Sequence, residues 1–261
     1  MIGILDSGVG GLFLARILSD VLPDYDIVFW GDTARGPYEN NSSMVIKSFA
    51  LEGARFLIEK GARLILVACH DISSTAAMSI SENLSVRLID SVTPSVERSL
   101  NVSRFLRIGV MGTRATIESG IYEEKLKAIQ PETRVYSSAC PLLRPIVEEG
   151  WLKKPETHMI VKKYILPFKI RRIDTLIAAC SYYSPLNKTI ERKAGKRIRV
   201  IDSSLALADY LVEFLKNNPD LDHTLSRKSI MQFFVSDKSI QNEKTAKRFF
   251  GKNLNLEQVV L

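Results

Sequence analysis

The sequence predicts an α/β protein made of two similar units with mainly parallel sheets, and three observations lead there. Short apolar runs alternate with stretches of helical periodicity through both halves of the chain. Two of these runs end alike: Leu64-Ile-Leu-Val-Ala-Cys69-His-Asp71 and Leu176-Ile-Ala-Ala-Cys180-Ser-Tyr182 both pass from aliphatics through Ala-Cys to polar residues. The alternation also restarts near residue 106 in the order seen at the amino end. Unbroken aliphatic runs suit parallel strands buried on both faces, and open α/β sheets bind ligands at the carboxyl ends of such strands. Two thiols therefore fall where a cleft is expected.

Each element follows from local pattern. Ile2-Gly-Ile-Leu5 is a strand, Asp6-Ser-Gly-Val-Gly-Gly11 a turn, and Leu14, Ile17, Leu18, Val21 and Leu22 keep helical spacing. Strand Ile27-Val-Phe-Trp30 runs into a Gly- and Pro-containing loop, Gly31 to Tyr38, and a helix over 43–60 leads to the strand before Cys69. Val86 to Asp90 is a further strand. Leu106 to Met111 starts the second round, and Gly112-Thr-Arg-Ala-Thr116 opens a helix. The next strand ends near Cys140, a helix covers 155–169, and Asp174 to Ala179 is the strand before Cys180. Ile198 to Ile201 returns the chain toward the first unit through a helix over 203–217. A polar linker from Asn217 to His223, a strand Met231 to Val235, a helix around 240–250 and a final apolar stretch to Leu261 follow. The expected division is 1–93 with 203–261 as one domain and 94–202 as the other.

Composition narrows the function classes. At 261 residues the chain is long enough for a substantial core. Three cysteines are too few and too odd for a disulfide framework, which points to a reducing, cytoplasmic setting with free thiols. The amino end carries Asp6 where a secretory segment needs basic and then apolar residues, and no run approaches a membrane span. A net charge of +7 invites a polyanion partner, yet Lys169-Ile-Arg-Arg172 and Lys193-Ala-Gly-Lys-Arg197 are short and lack interleaved aromatics. A solvated basic surface is expected, with neither nucleic acid nor membrane as partner.

A thiol acts as base or nucleophile only as thiolate, which a helix N-terminus or a nearby cation favours. Either Cys69 or Cys180 alone reads as a packed core residue; two at equivalent places read as chemistry. Cys140 is followed by Pro141, which offers no amide hydrogen to an anion, so it reads as core. Phe13 occupies the last glycine position of a dinucleotide fingerprint, so Gly8-Val-Gly-Gly11 either lets backbone approach a small ligand or makes a tight turn. Asp6 either bonds a general base or caps the helix. His70, His158 and His223 form no metal-ligand spacing with the cysteines, and no metal or other cofactor is expected.

With these motifs in hand, the chain resembles the bacterial glutamate racemases of the aspartate/glutamate racemase superfamily along its whole length. The match runs through Ile4-Leu-Asp-Ser-Gly-Val-Gly-Gly-Leu12, Gly31-Asp-Thr-Ala-Arg-Gly-Pro-Tyr38, Val67-Ala-Cys69, Gly112-Thr-Arg-Ala-Thr116, Ala139-Cys-Pro141, Val147-Glu148, Asp174-Thr-Leu176 and Phe234-Val-Ser-Asp237. The resemblance implies two similar flavodoxin-like α/β domains with the active site in the interdomain cleft, and a cofactor-independent isomerase that makes D-glutamate for the cell wall. It implies that Cys69 and Cys180 flank the substrate Cα, that Asp6 and Glu148 assist the thiols, and that Ser7, Pro37, Tyr38 and Thr116 contact substrate. It also implies a small-molecule substrate and a homodimer.

The departures from that family sit next to the thiols. His70-Asp71 stand for Asn-Thr after the first cysteine, Ser181-Tyr182 for Thr-His after the second, and Glu39 for the glycine after Pro-Tyr. An ionised Asp71 only accepts hydrogen bonds and repels a substrate carboxylate, which a His70 imidazolium would offset. Tyr182 keeps a donor but does not titrate near neutrality. Glutamate racemisation is the expected activity; a less acidic substrate or a binding protein without catalysis are the alternatives.

Overall fold

The aliphatic runs assemble into two sheets in the computed structural model, which describes residues 1–251 and 254–261. In chain order the strands are β1 (Ile2–Asp6), β2 (Ile27–Gly31), β3 (Leu64–Val67), β4 (Arg87–Asp90), β5 (Arg107–Gly112), β6 (Arg134–Ala139), β7 (Thr175–Ala179), β8 (Arg199–Asp202), β9 (Met231–Val235) and β10 (Glu257–Gln258). The first sheet runs β10-β9-β2-β1-β3-β4 and the second β6-β5-β7-β8, with every neighbouring pair parallel. Counted within each unit, β2-β1-β3-β4 and β6-β5-β7-β8 share the order second, first, third, fourth, which is the flavodoxin-like order. Cys69 follows the third strand of the first unit and Cys180 the third strand of the second. The two Ala-Cys motifs are thus topologically equivalent.

Why these runs became central strands is plain from burial. Every residue of β1, β2, β3 and β7 is buried, as expected where helices cover both sheet faces. The largest apolar core joins Ile4, Leu12 and Leu18 of the first unit to Leu143, Phe168, Leu176 and Leu211. A second core, with Trp30, Phe56 and Val67, fills the other face of the first sheet, and a third, around Val96, Val110 and Tyr122, that of the second. Helix Ser203–Asn217 buries Leu207, Leu211 and Leu215 and packs against both helix Leu12–Val21 and helix Val92–Val102. Asp202 caps it, accepting from the amides of Ser204 at 2.9 Å and Leu205 at 3.4 Å and from Ser184 Oγ at 2.8 Å.

Two expectations need refinement. Ile198 to Ile201 does not leave the second unit: β8 pairs with β7, and only the helix after it reaches the first unit. The stretch read as a linker holds helix Pro219–Thr224, because proline in a first helical turn gives up an amide that has no partner there anyway. Among the described residues no helix is long and apolar enough to cross a membrane.

Candidate active site

The carboxyl ends of the two sheets meet, and the glycine-rich turn after β1 is the contact. A Cβ on Gly10 would strike Ser181 Oγ and approach Tyr182 Cδ2 to 2.7 Å; one on Gly8 would lie 3.0 Å from the Tyr182 hydroxyl and 3.4 Å from an Arg144 nitrogen. The glycines therefore admit the other unit's polypeptide, an outcome neither the ligand nor the tight-turn reading contained. The Val9 amide donates to Tyr182 Oη at 3.3 Å, and Ser181 Oγ donates to Asp6 Oδ2 at 3.3 Å. Thr113 Oγ1 donates to Asp71 Oδ1, and Thr116 Oγ1 donates to the same oxygen at 2.9 Å. Asp71, Ser181 and Tyr182, three of the positions where the chain departs from the family it resembles, thus bond across the joint.

Cys69 and Cys180 lie behind this contact, 5% and 6% exposed. Cys69 Sγ shares a 3.1 Å hydrogen bond with Ser7 Oγ. Burial, then Asp71 and Asp6, push the Cys69 thiol up to about 12, against the Ser7 hydroxyl and the Ile72 amide. Burial and Asp71 also hold the Cys180 thiol well above its usual range, opposed by the Tyr182 amide and Arg144. The helix amides foreseen as help for the thiolates are present, and desolvation outweighs them.

The acids divide in role. Asp6 is buried and its carboxyl is raised to about 6, chiefly by desolvation, with Arg144 and the Gly8 amide opposing. Desolvation also raises Asp71, against its threonine partners and Arg144, and raises Glu39 together with the charge of Asp71. Glu148 is paired with Arg144: its Oε1 accepts from Arg144 Nε at 2.8 Å. His70 supplies no countercharge for Asp71, because burial lowers its imidazole to about 3 despite a pull from the Ala68 backbone. Its ring stacks on Tyr122 of the second unit, with 6.4 Å between centroids, and neither ring nitrogen has a hydrogen-bond partner among the described residues.

A cavity of about 200 Å³ adjoins Ser7, the hydrogen-bond partner of Cys69, and is lined also by Gly8, Pro37, Arg144, Glu148 and Tyr182, and by Gln241, Asn242 and Thr245 of the tail helix. Tyr38 is buried beside it with its hydroxyl spent on Asp32 Oδ2 at 2.5 Å. Cys140 is fully buried and its carbonyl accepts from Tyr183 Oη at 3.0 Å. Among the described residues no group of three or more His, Cys, Asp or Glu is arranged to hold a metal. A larger cleft, about 1080 Å³ and lined by Arg104, Phe105, Asp174 and Arg197 among others, sits at the amino-terminal ends of β5, β7 and β8, the opposite end from the thiols.

Sequence reading missed Thr113 and Arg144. The signal for Arg144 was its place one helical turn before Glu148, in the helix that follows a strand's carboxyl end.

The chain is similar to known proteins along its whole length. Residues 14–211 match the family model for Asp/Glu/hydantoin racemases. A glutamate racemase from Persephonella marina is 39% identical over 260 residues, covering all of this chain and 97% of that one. The crystal structure of a glutamate racemase from Francisella tularensis in complex with D-glutamate superposes with a TM-score of 0.89 at 30% identity, covering 99% of this chain and 96% of the other. A glutamate racemase from Bacillus anthracis gives 0.92 at 31% identity, covering 100% and 97%. The chain belongs to the Asp/Glu/hydantoin racemase family and stands with its glutamate racemases.

Proposed function

We propose that the protein interconverts L- and D-glutamate without a cofactor, with Cys69 on one face of the substrate Cα and Cys180 on the other. The observation that carries this reading is the equivalent placement of the two buried thiols after the third strand of each unit, at the same joint. One thiolate takes the Cα proton, and the opposite thiol delivers its own proton to the other face. Both thiols are protonated at neutral pH as they stand, so the incoming α-ammonium supplies the positive charge that makes a thiolate accessible beside Asp6 and Asp71. Turnover of about 10 per second allows a barrier of roughly 16 kcal/mol, which oriented donors and water exclusion must make reachable. Asp6 acts next to Cys69. Glu148 acts at one remove, by holding Arg144.

The domain division at 93 and 203 belongs to this reading, and is supported by the origin of the first sheet's strands in residues 2–90 and 231–258 and of the second's in residues 107–202. So do a cytoplasmic location, a homodimer and supply of D-glutamate to peptidoglycan synthesis, which rest on the family. The test is exchange of the glutamate Cα proton in deuterated water, followed by NMR from both enantiomers. Wild type exchanges and racemises; Cys69→Ala and Cys180→Ala each abolish racemisation. Absence of exchange by wild type with glutamate removes the reading, and racemisation by either variant removes that cysteine's role.

A further inference from the structure

The site contains an excess of negative charge that an acidic substrate would increase. Asp6, Glu39, Asp71 and Glu148 all act on the same small region, against Arg144 and an Arg114 charge that reaches Glu39, while His70 is neutral and Arg35 is engaged by Asp32 and Glu52. Among the residues lining the cavity, Arg144 is the one cationic side chain. It is 12% exposed, its Nε is spent on Glu148, and its guanidinium lies over the Tyr182 ring at 4.6 Å from the centroid. Nη1 and Nη2 make no hydrogen bond with any described residue, and one of them approaches the space above Gly8. A guanidinium held by one edge and stacked on an aromatic face presents its free fork in a fixed plane, which suits a carboxylate.

We propose that Arg144 is the specificity-determining residue that grips the side-chain carboxylate of an acidic amino-acid substrate. The assignment to that end of the substrate follows from depth. Cα must reach two thiols that are 5% and 6% exposed and take no part in the cavity's lining, whereas Arg144 lines the cavity itself, so the group farthest from Cα is the one that meets Arg144. Glu148 and Tyr182 aim the guanidinium, and the fork offsets the carboxylates that stand where the family has neutral donors. The proposal rests on the racemase reading for the choice of ligand.

Calorimetric titration of D-glutamate and of its neutral isostere D-glutamine into wild type, Arg144→Gln and Arg144→Lys tests it, with circular dichroism as the check on folding. Removing one partner of a desolvated charge pair typically weakens binding by at least about 30-fold. Arg144→Gln is expected to lose that much for glutamate and less than about threefold for glutamine. Arg144→Lys, which keeps charge but not the fork, falls between and serves if the glutamine variant does not fold. Unchanged glutamate affinity in these variants, or equal losses for both ligands, overturns the proposal, as does a wild type that binds neither. The two readings separate cleanly: Arg144-dependent glutamate binding without Cα exchange leaves the anchor standing and the racemase fallen, and exchange with Arg144-independent affinity does the reverse.

Discussion

Gly10 keeps the joint closed by having no side chain. Its backbone is of ordinary conformation, so the requirement is steric: a Cβ would meet Ser181 Oγ and the Tyr182 ring at once. Gly10→Ala is expected to cost about 1–3 kcal/mol, read as a lower midpoint in urea. Asp6 gives a pH signature. Its native carboxyl, at about 6 against 3.8, binds a proton more tightly than the unfolded chain does. Its contribution is therefore fully present below about pH 4 and is lost as pH rises through about 6, a change of about 3 kcal/mol. Asp6→Asn lacks this ionisation, so the stability of wild type relative to that variant should fall between pH 4 and pH 7. A relative stability that is flat or rising with pH would show that Asp6 is not held protonated by burial. Residue identity also explains what could not be read from the chain. The thiols and Asp6 announced themselves by position at strand ends, but whether Asp71 faces substrate or Thr113 and Thr116 depends on a contact between units 42 and 45 residues apart in sequence.

Elements were legible where one periodicity ruled a long stretch. Helices Ser43–Glu59, Pro155–Ile170 and Ser203–Asn217 fall on or within a residue of their expected spans, and β9 matches from end to end. Short elements governed by proline were not: Pro219 opens a helix, and the segment after Cys140-Pro141, to which the sequence assigns no element, becomes helix Leu143–Glu148, which bears Arg144. The core reading was right for Cys140 and silent about the residue four further on, because one arginine among 36 basic residues carries no mark until its neighbours are known. The strongest elemental contact to test is the cap of helix Ser203–Asn217. Asp202→Ala removes an acceptor from two amides and the Ser184 hydroxyl. It should destabilise the protein by about 1–3 kcal/mol in thermal or urea unfolding, and a loss within error would show that Ser184 and Ser204 compensate.

At the scale of the molecule, one topology is used twice, and the tail ties the copies together. β9 and β10 extend the first sheet beyond β2, and the helix between them, Ile240–Phe249, reaches the second unit: Gln241 Nε2 donates to the Glu148 carbonyl at 2.7 Å and Arg248 Nη1 to that of Val147 at 2.8 Å. Ending the chain at Ile230 would bare the edge of β2 and unfasten the segment that holds Arg144, so this truncation is expected to aggregate; a soluble monomer with native circular dichroism would refute that. The three thiols, meanwhile, form a set of internal clocks. Cys140 is sealed in the core and is reached only when the protein unfolds, whereas Cys69 and Cys180 lie just behind a seam stitched by Val9, Tyr182, Asp71 and two threonines. The rate at which a small neutral alkylating reagent labels the pair, divided by its rate at Cys140, therefore counts how many times the seam parts for each global unfolding, and with it how often anything the size of an amino acid is able to come and go.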